Sequence, residues 1–225
     1  MNYQLMSRFE LLQTEDSYYT VRDKYFNETF HSIYGSYNES MYVYINQAYN
    51  LLKYKPKLYI FEMGFGTGLN SLLTLINKTA EQMIYYVTID KYPLPEVFFD
   101  KLINSFKNDM HRKLYSKILY SEWNKEIIIN DKFIILKVHE DINQYKFNLK
   151  YDVVYYDAFS PKTQPELWTT EIFCKIYNFM NNESILVTYS SSGIVKKALL
   201  QSNFIVERIS GPIGKRHIIR AYKKF

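Results

Sequence analysis

The sequence predicts an α/β protein built on a seven-stranded, mostly parallel sheet, with a small N-terminal β/α extension. Three observations carry this. Short β-rich runs alternate with helical stretches from Leu58 onward, the first of these runs enters a glycine turn that opens a helix, and the last two runs stand too close together for a crossover helix.

In chain order, Tyr3 to Arg22 holds two short alternating runs around the polar Thr14-Glu15-Asp16, which predicts a strand pair. Tyr42, Ile45, Tyr49 and Leu52 then recur at three- and four-residue spacing behind Asn38 as a cap, which predicts an amphipathic helix ended by Pro56. Residues 1–55 are therefore read as an extension packed on the same domain, and residues 56–225 as a Rossmann-like domain. Its expected strands are Leu58 to Met63, Ile84 to Ile89, Phe133 to Val138, Asp152 to Tyr156, Ile185 to Tyr189, Phe204 to Arg208 and Arg216 to Ala221. Helices are expected at Leu69 to Asn77, Leu94 to Phe106, Met110 to Tyr120, Glu166 to Met180 and Ile194 to Gln201. Only Ile209 to Lys215 separates the last two strands, so they should pair antiparallel. A parallel sheet closed by such a hairpin is the architecture of class I, Rossmann-like methyltransferases.

Composition agrees with one decorated domain: 225 residues, 47% hydrophobic and 23% charged, with only 7 Gly and 6 Pro. The single Cys174 cannot form an internal disulfide, and no apolar stretch approaches the roughly 20 residues of a membrane helix. A reducing, cytoplasmic setting is the expectation. The net charge of +5 is uneven, because Lys196 to Phe225 hold eight basic residues against Glu207 alone; that is +7, which leaves −2 elsewhere. A basic segment of this kind suits a polyanion such as nucleic acid, or is simply a solvated face.

The first parallel strand runs into Glu62, Gly64, Phe65, Gly66, Thr67, Gly68, Leu69 and Asn70. Glycine at these places lets the backbone approach a ligand, and the helix behind it presents free N–H groups. A dinucleotide fingerprint would need Gly at position 69, where Leu69 stands, so the spacing favours a nucleoside without a pyrophosphate. An acid follows each successive strand: Asp90 for ribose hydroxyls, Asp141 for an adenine amino group, and Asp157 after the fourth strand. With Glu62 these should converge on one crevice. Four carboxylates suit a cation, and S-adenosylmethionine carries both a sulfonium and an ammonium group. No metal is expected, since the four histidines show no ligand-like spacing.

Glu62 to Asn70, then Asp90-Lys91-Tyr92-Pro93-Leu94, then Asp157-Ala158-Phe159-Ser160-Pro161 with Pro165-Glu166-Leu167-Trp168-Thr169 resemble the methyltransferase domain of the MnmC-type tRNA-modifying enzymes. The resemblance continues through Thr188 to Gly193 and Gly211 to Arg216, and upstream through His31-Ser32 and Glu39-Ser40. It departs at Asp90, where Glu is usual, at His217, where Glu is common, and at Met41-Tyr42, where Arg-His is frequent. The resemblance implies methyl transfer from S-adenosylmethionine to the aminomethyl group on carbon five of the wobble (thio)uridine in the tRNA anticodon loop. It also implies cofactor contacts at Glu62, Gly64, Phe65, Gly66, Thr67, Gly68, Asn70, Asp90, Lys91, Asp141 and Asp157. Because the chain ends at Phe225, it resembles the stand-alone form without a fused oxidase, so no flavin is expected.

In that setting Asp157 is the expected catalytic residue, orienting a neutral amine or taking its proton. Phe159, Pro161 and Trp168 would wall a pocket for a splayed uridine, with Ser190 beside them. Lys196, Lys197, Lys215 and Arg216 would meet the tRNA backbone. The pattern is compatible with a monomer. Two rival readings stand beside this one: a small-molecule transferase resembling polyamine aminopropyltransferases, which share a Tyr-Asp-x-x-x-x-Asp strand like Tyr151-Asp152 to Asp157, and a non-catalytic RNA-binding protein.

Overall fold

A computed structural model describes residues 7–223. Tyr3 to Met6 of the first expected run, and Lys224 and Phe225 of the basic tail, lie outside the described residues. In the extension, β1 (Phe9–Gln13) pairs antiparallel with β2 (Tyr19–Asp23), and β3 (Glu28–Thr29) adds a third short strand. The turn between β1 and β2 does a second job. Thr14 Oγ1 donates to Asp16 Oδ1 (2.6 Å), and Asp16 Oδ2 accepts the Asn38 backbone N–H (3.0 Å). Asn38 is therefore inside the helix α1 (Ser36–Ser40) and not its cap. The helix continues directly into a π-helical stretch, Met41–Asn46, before a 3₁₀ turn at Tyr49–Leu52. The single amphipathic helix expected from three- and four-residue spacing is thus broken into three registers.

The main sheet contains β4 (Lys57–Met63), β5 (Met83–Asp90), β6 (Glu126–Asn130), β7 (Phe133–His139), β8 (Tyr151–Tyr156), β9 (Met180–Thr188), β10 (Ile205–Ser210) and β11 (His217–Tyr222). Their spatial order is β10-β11-β9-β8-β4-β5-β7-β6. The five strands β4, β5, β7, β8 and β9 run parallel. This is the Rossmann-like methyltransferase fold, whose main sheet has eight strands among the described residues where seven were expected. The extra one, β6, pairs antiparallel with β7 at the sheet edge; its apolar run is only Ile127 to Ile129, of which Ile129 alone is fully buried, so it is not covered on both faces like a central strand. The last hairpin is antiparallel as expected, and its second strand is the inner one: Ile219 of β11 faces Thr188 of β9.

Central strands of a parallel sheet are buried on both faces, and side-chain alternation sorts their residues into two layers. Leu58, Ile60, Ile84, Tyr86, Val153 and Tyr155 face α2 (Leu69–Asn77), α4 (Asp109–Leu119) and the N-terminal helix, whose Val43, Tyr44 and Ile45 join the same core. Phe61, Val87, Val154 and Tyr156 face the other way, toward Phe173 of α5 (Thr170–Asn178) and Leu199 of α6 (Gly193–Gln201). The stretch expected as one helix from Leu94 to Phe106 is a 3₁₀ turn, Glu96–Phe98, followed by the short α3 (Phe99–Asn104). Among the described residues, no helix is long and apolar enough to cross a membrane.

Candidate active site

The parallel strands finish at one rim, and backbone bonds tie their ends together. Gly64 N–H donates to Ile89 O (3.0 Å), and Asp157 N–H donates to Met63 O (2.9 Å). The contact is close enough that glycine is required: Gly64 has φ 90°, and a Cβ there would lie 2.6 Å from the Asp157 carbonyl oxygen. Gly66, at φ 51°, similarly faces the Phe30 ring at 3.0 Å from a would-be Cβ. Beyond this rim opens a cavity of about 440 Å³, within the range of sites that hold nucleoside-sized ligands.

Three of the four strand-end acids reach the cavity. Asp90, half-buried, accepts N–H bonds from Gly66 (3.1 Å) and Tyr92 (2.8 Å), and burial raises its carboxyl above the ordinary range despite those bonds. Asp141 is paired with Lys91 (2.8 Å) and accepts from Asn143; the Lys91 bond holds its carboxyl below the ordinary range. Asp157 accepts from the Tyr44 phenol at one oxygen and from Asn70 Nδ2 (2.8 Å) at the other. Burial pushes the Asp157 carboxyl up to about 7, with both bonds pulling it back down.

The fourth acid differs from its expected position. Glu62 is fully buried behind the cavity, where Asn70 Nδ2 donates to its Oε1 (3.0 Å) as well as to Asp157. Its Oε2 has no hydrogen-bond partner of good geometry among the described residues, and burial raises its carboxyl to about 8. β4 points Glu62 toward the same side as Ile60, into the core layer. Thr67, Gly68 and Asn70 also sit behind the cavity wall, while Gly64, Phe65, Gly66 and Lys91 line it.

On the acceptor side the structure redistributes the expected residues. Phe159 lines the cavity, with Phe26 and Phe30 rings at 5.1 and 5.4 Å. Trp168 is 1% exposed and belongs to the core, against Tyr156 and Phe173; its Nε1 donates to the Phe159 carbonyl (2.7 Å), so it supports the wall from behind. Pro161 and the buried Ser190 are outside the lining. Lys215 turns inward, 2.8 Å from Glu39 Oε1 and 4.5 Å from the centre of the Tyr189 ring, so it is not a free phosphate contact. Arg216 next to it is exposed, and so is Lys197, while Lys196 is half-buried on the same helix. The expected basic surface is therefore divided between the cavity and the outside. Asp152, the residue on which the aminopropyltransferase reading leaned, is committed elsewhere, to Lys55 (2.9 Å), Asn181 and the Tyr59 N–H.

Sequence reasoning missed what the N-terminal extension supplies: Arg8, Glu28, Phe30 and Tyr44. Arg8 lines the cavity, paired with Asp23 (2.6 Å) and lying 5.1 Å from the Tyr92 ring centre. Glu28 accepts from Ser160 N–H (3.2 Å) and Oγ (3.1 Å), fixing the loop that carries Phe159. Only His31-Ser32 and Glu39-Ser40 gave a signal there, as short motifs.

A family model described as S-adenosyl-L-methionine-dependent methyltransferase matches residues 99–224. The chain belongs to this methyltransferase family. The methyltransferase is 29% identical over 213 residues to the tRNA 5-methylaminomethyl-2-thiouridine biosynthesis bifunctional protein MnmC of Campylobacter hominis, covering 88% of this chain and 31% of that one. It is 30% identical to the protein of the same name from Legionella pneumophila, covering 88% and 34%. The chain thus spans about a third of the length of these relatives. The crystal structure of MNMC2 from Aquifex aeolicus superposes with a TM-score of 0.75 at 27% identity, covering 96% of this chain and 70% of that one. The cofactor is S-adenosylmethionine, and the cavity fits it: the Gly64 and Gly66 turn leaves room for close approach, and Asp90 and Asp157 offer carboxylates to a polar, cationic ligand. Among the described residues, no group of His, Cys, Asp and Glu is placed to hold a metal ion.

Proposed function

We propose that this methyltransferase methylates the exocyclic amine of a 5-aminomethyl wobble (thio)uridine in tRNA, giving 5-methylaminomethyl-2-thiouridine. The observation that carries the reading is Asp157: a half-buried carboxylate, with each oxygen already held by one protein donor, inside a cavity flanked by Phe26, Phe30 and Phe159. An aromatic wall beside a carboxylate suits an extruded base bearing an amine. The names of the MnmC relatives support tRNA as the substrate.

On the donor side, Asp90 would hold the ribose hydroxyls and Asp141 the adenine amino group, with Gly64, Phe65 and Gly66 shaping the approach. When bound, S-adenosylmethionine supplies a methyl group to the amine lone pair, the C–S bonding pair returning to sulfur as the N–C bond forms. Asp157 accepts an amine N–H and so aims the lone pair, and it can take the surplus proton afterwards. Glu62 and Asn70 act from behind, as supports of Asp157. Arg216 and Lys197 are exposed cations suited to the tRNA backbone.

The test is nucleoside mass analysis of tRNA carrying 5-aminomethyl-2-thiouridine after incubation with the protein and methyl-labelled S-adenosylmethionine. Label is expected in the wobble nucleoside. Label that appears only in free polyamines, or none in tRNA, overturns the reading.

A further inference from the structure

We infer that Tyr44 is a positioning residue of the methyl-transfer site: its phenol and the Asn70 amide together hold the Asp157 carboxylate in one plane, so that the acceptor amine meets a fixed oxygen. The inference rests on the proposed role of Asp157.

The geometry assigns Tyr44 this task in three ways. Its ring is 1% exposed and packs 5.3 Å from the Tyr155 ring, so the phenol has no freedom to swing away. Its O–H donates to Asp157 Oδ1, while Asn70 Nδ2 donates to Oδ2 at 2.8 Å. Turning the carboxylate would break one bond or the other, and each oxygen keeps a second lone pair for substrate. Third, other phenols nearby make different bonds: Tyr115 donates to Thr67 O (2.7 Å), Tyr189 to Ala158 O (2.9 Å), and the Tyr155 phenol meets Thr74 Oγ1 (3.1 Å). Tyr44 uses the carboxylate instead.

The π-helical stretch Met41–Asn46 makes this possible. A π turn shifts side chains around the helix relative to an α-helical register, and such turns concentrate at functional sites. Here it aims Tyr44 at the strand end while Val43 and Ile45 remain in the core.

Other charged and titratable groups also face Asp157. Glu62 lies behind Asn70, Glu39 and Lys215 stand at the rim, and the Tyr86 and Tyr189 phenols complete the surroundings. Against the burial that raises Asp157, the Tyr44 bond favours its ionised form. Without it, the carboxylate should ionise at higher pH and rotate more freely.

The experiment compares wild type with Tyr44→Phe. Titration of ¹³C-carboxyl-labelled aspartate by NMR reads Asp157 directly, without substrate; its midpoint should move to higher pH by about one to two pH units, the size of a charge-assisted hydrogen bond. The acid limb of kcat for tRNA labelling should move with it, kcat near pH 7 should fall about tenfold or more, and donor Kd should stay within twofold. Fluorotyrosine at position 44, a stronger donor of the same shape, should move the midpoint the other way, which guards against a folding defect in Tyr44→Phe. A midpoint unmoved in both variants overturns the inference even if wild type labels tRNA. Failure of wild type to label tRNA overturns the proposed substrate instead, and the NMR midpoints still decide on Tyr44.

Discussion

Lys215 Nζ lies 2.8 Å from Glu39 Oε1, and this pair ties the turn of the last hairpin to the N-terminal helix at the cavity rim. Glu39 has 8% side-chain exposure and also accepts the Ser32 N–H at 2.6 Å, so it is the fixed member. Lys215→Ala should cost about 2 kcal/mol in a denaturant melt, less than a fully buried pair because Lys215 keeps 27% exposure. Glu39→Gln combined with Lys215→Met should recover much of it. Arg216→Ala, on the exposed neighbour, should leave the melt unchanged, weaken tRNA binding and lower the slope of log K against log salt by about 0.7 to 0.9.

Asp157→Asn should abolish methyl transfer by about 10²-fold or more, since the amide retains the shape but not the acceptor charge. Donor affinity, measured by calorimetry, should change only a few-fold. The variant should melt higher than wild type at pH 8, because burial already disfavours the charge that it removes.

Glu62 sets a stability trend with pH. Its folded carboxyl at about 8, against an ordinary 4.5, favours the fold when protonated. That contribution is complete below about pH 4.5 and is lost as pH rises through about 8. Melting temperature should therefore fall between pH 6 and pH 9, and Glu62→Gln, which keeps an acceptor for Asn70, should flatten the fall. Equal slopes in the two proteins would assign the trend to other groups.

Trp168→Ala should destabilise by about 3 to 5 kcal/mol, the cost of emptying a fully buried aromatic site. Trp168→Phe should retain most of the stability but lose the bond to the Phe159 carbonyl. If the loop depends on that bond, its effect should appear in acceptor KM, with donor Kd unchanged.

The parallel strands and the glycine turn were legible because buried strands and tight turns leave local marks: apolar runs at Leu58 to Phe61 and Val153 to Tyr156, and Gly64 where no Cβ fits. Asp90, Asp141 and Asp157 could be read as neighbours because an open sheet brings its carboxyl ends to one side. Glu62 could not be distinguished from them, since being one pleat out of step turns a side chain into the core. Tyr44 left no mark: it falls off the stripe of Tyr42, Ile45 and Tyr49, and only the π register, which has no sequence signature, aims it at Asp157. Lys215 read as surface charge because its partner lies near the other end of the chain.

The placement of β11 between β9 and β10 has a consequence for synthesis of the protein. β11 is made after β10 yet pairs inside it, so the emerging chain carries β9 with an open edge until residues 217–222 are free. The same hairpin delivers Lys215 to Glu39. Until β11 pairs, Ile218 is missing from one core layer and Ile219 and Ala221 from the other, so the cavity rim and both layers are completed by the same strand.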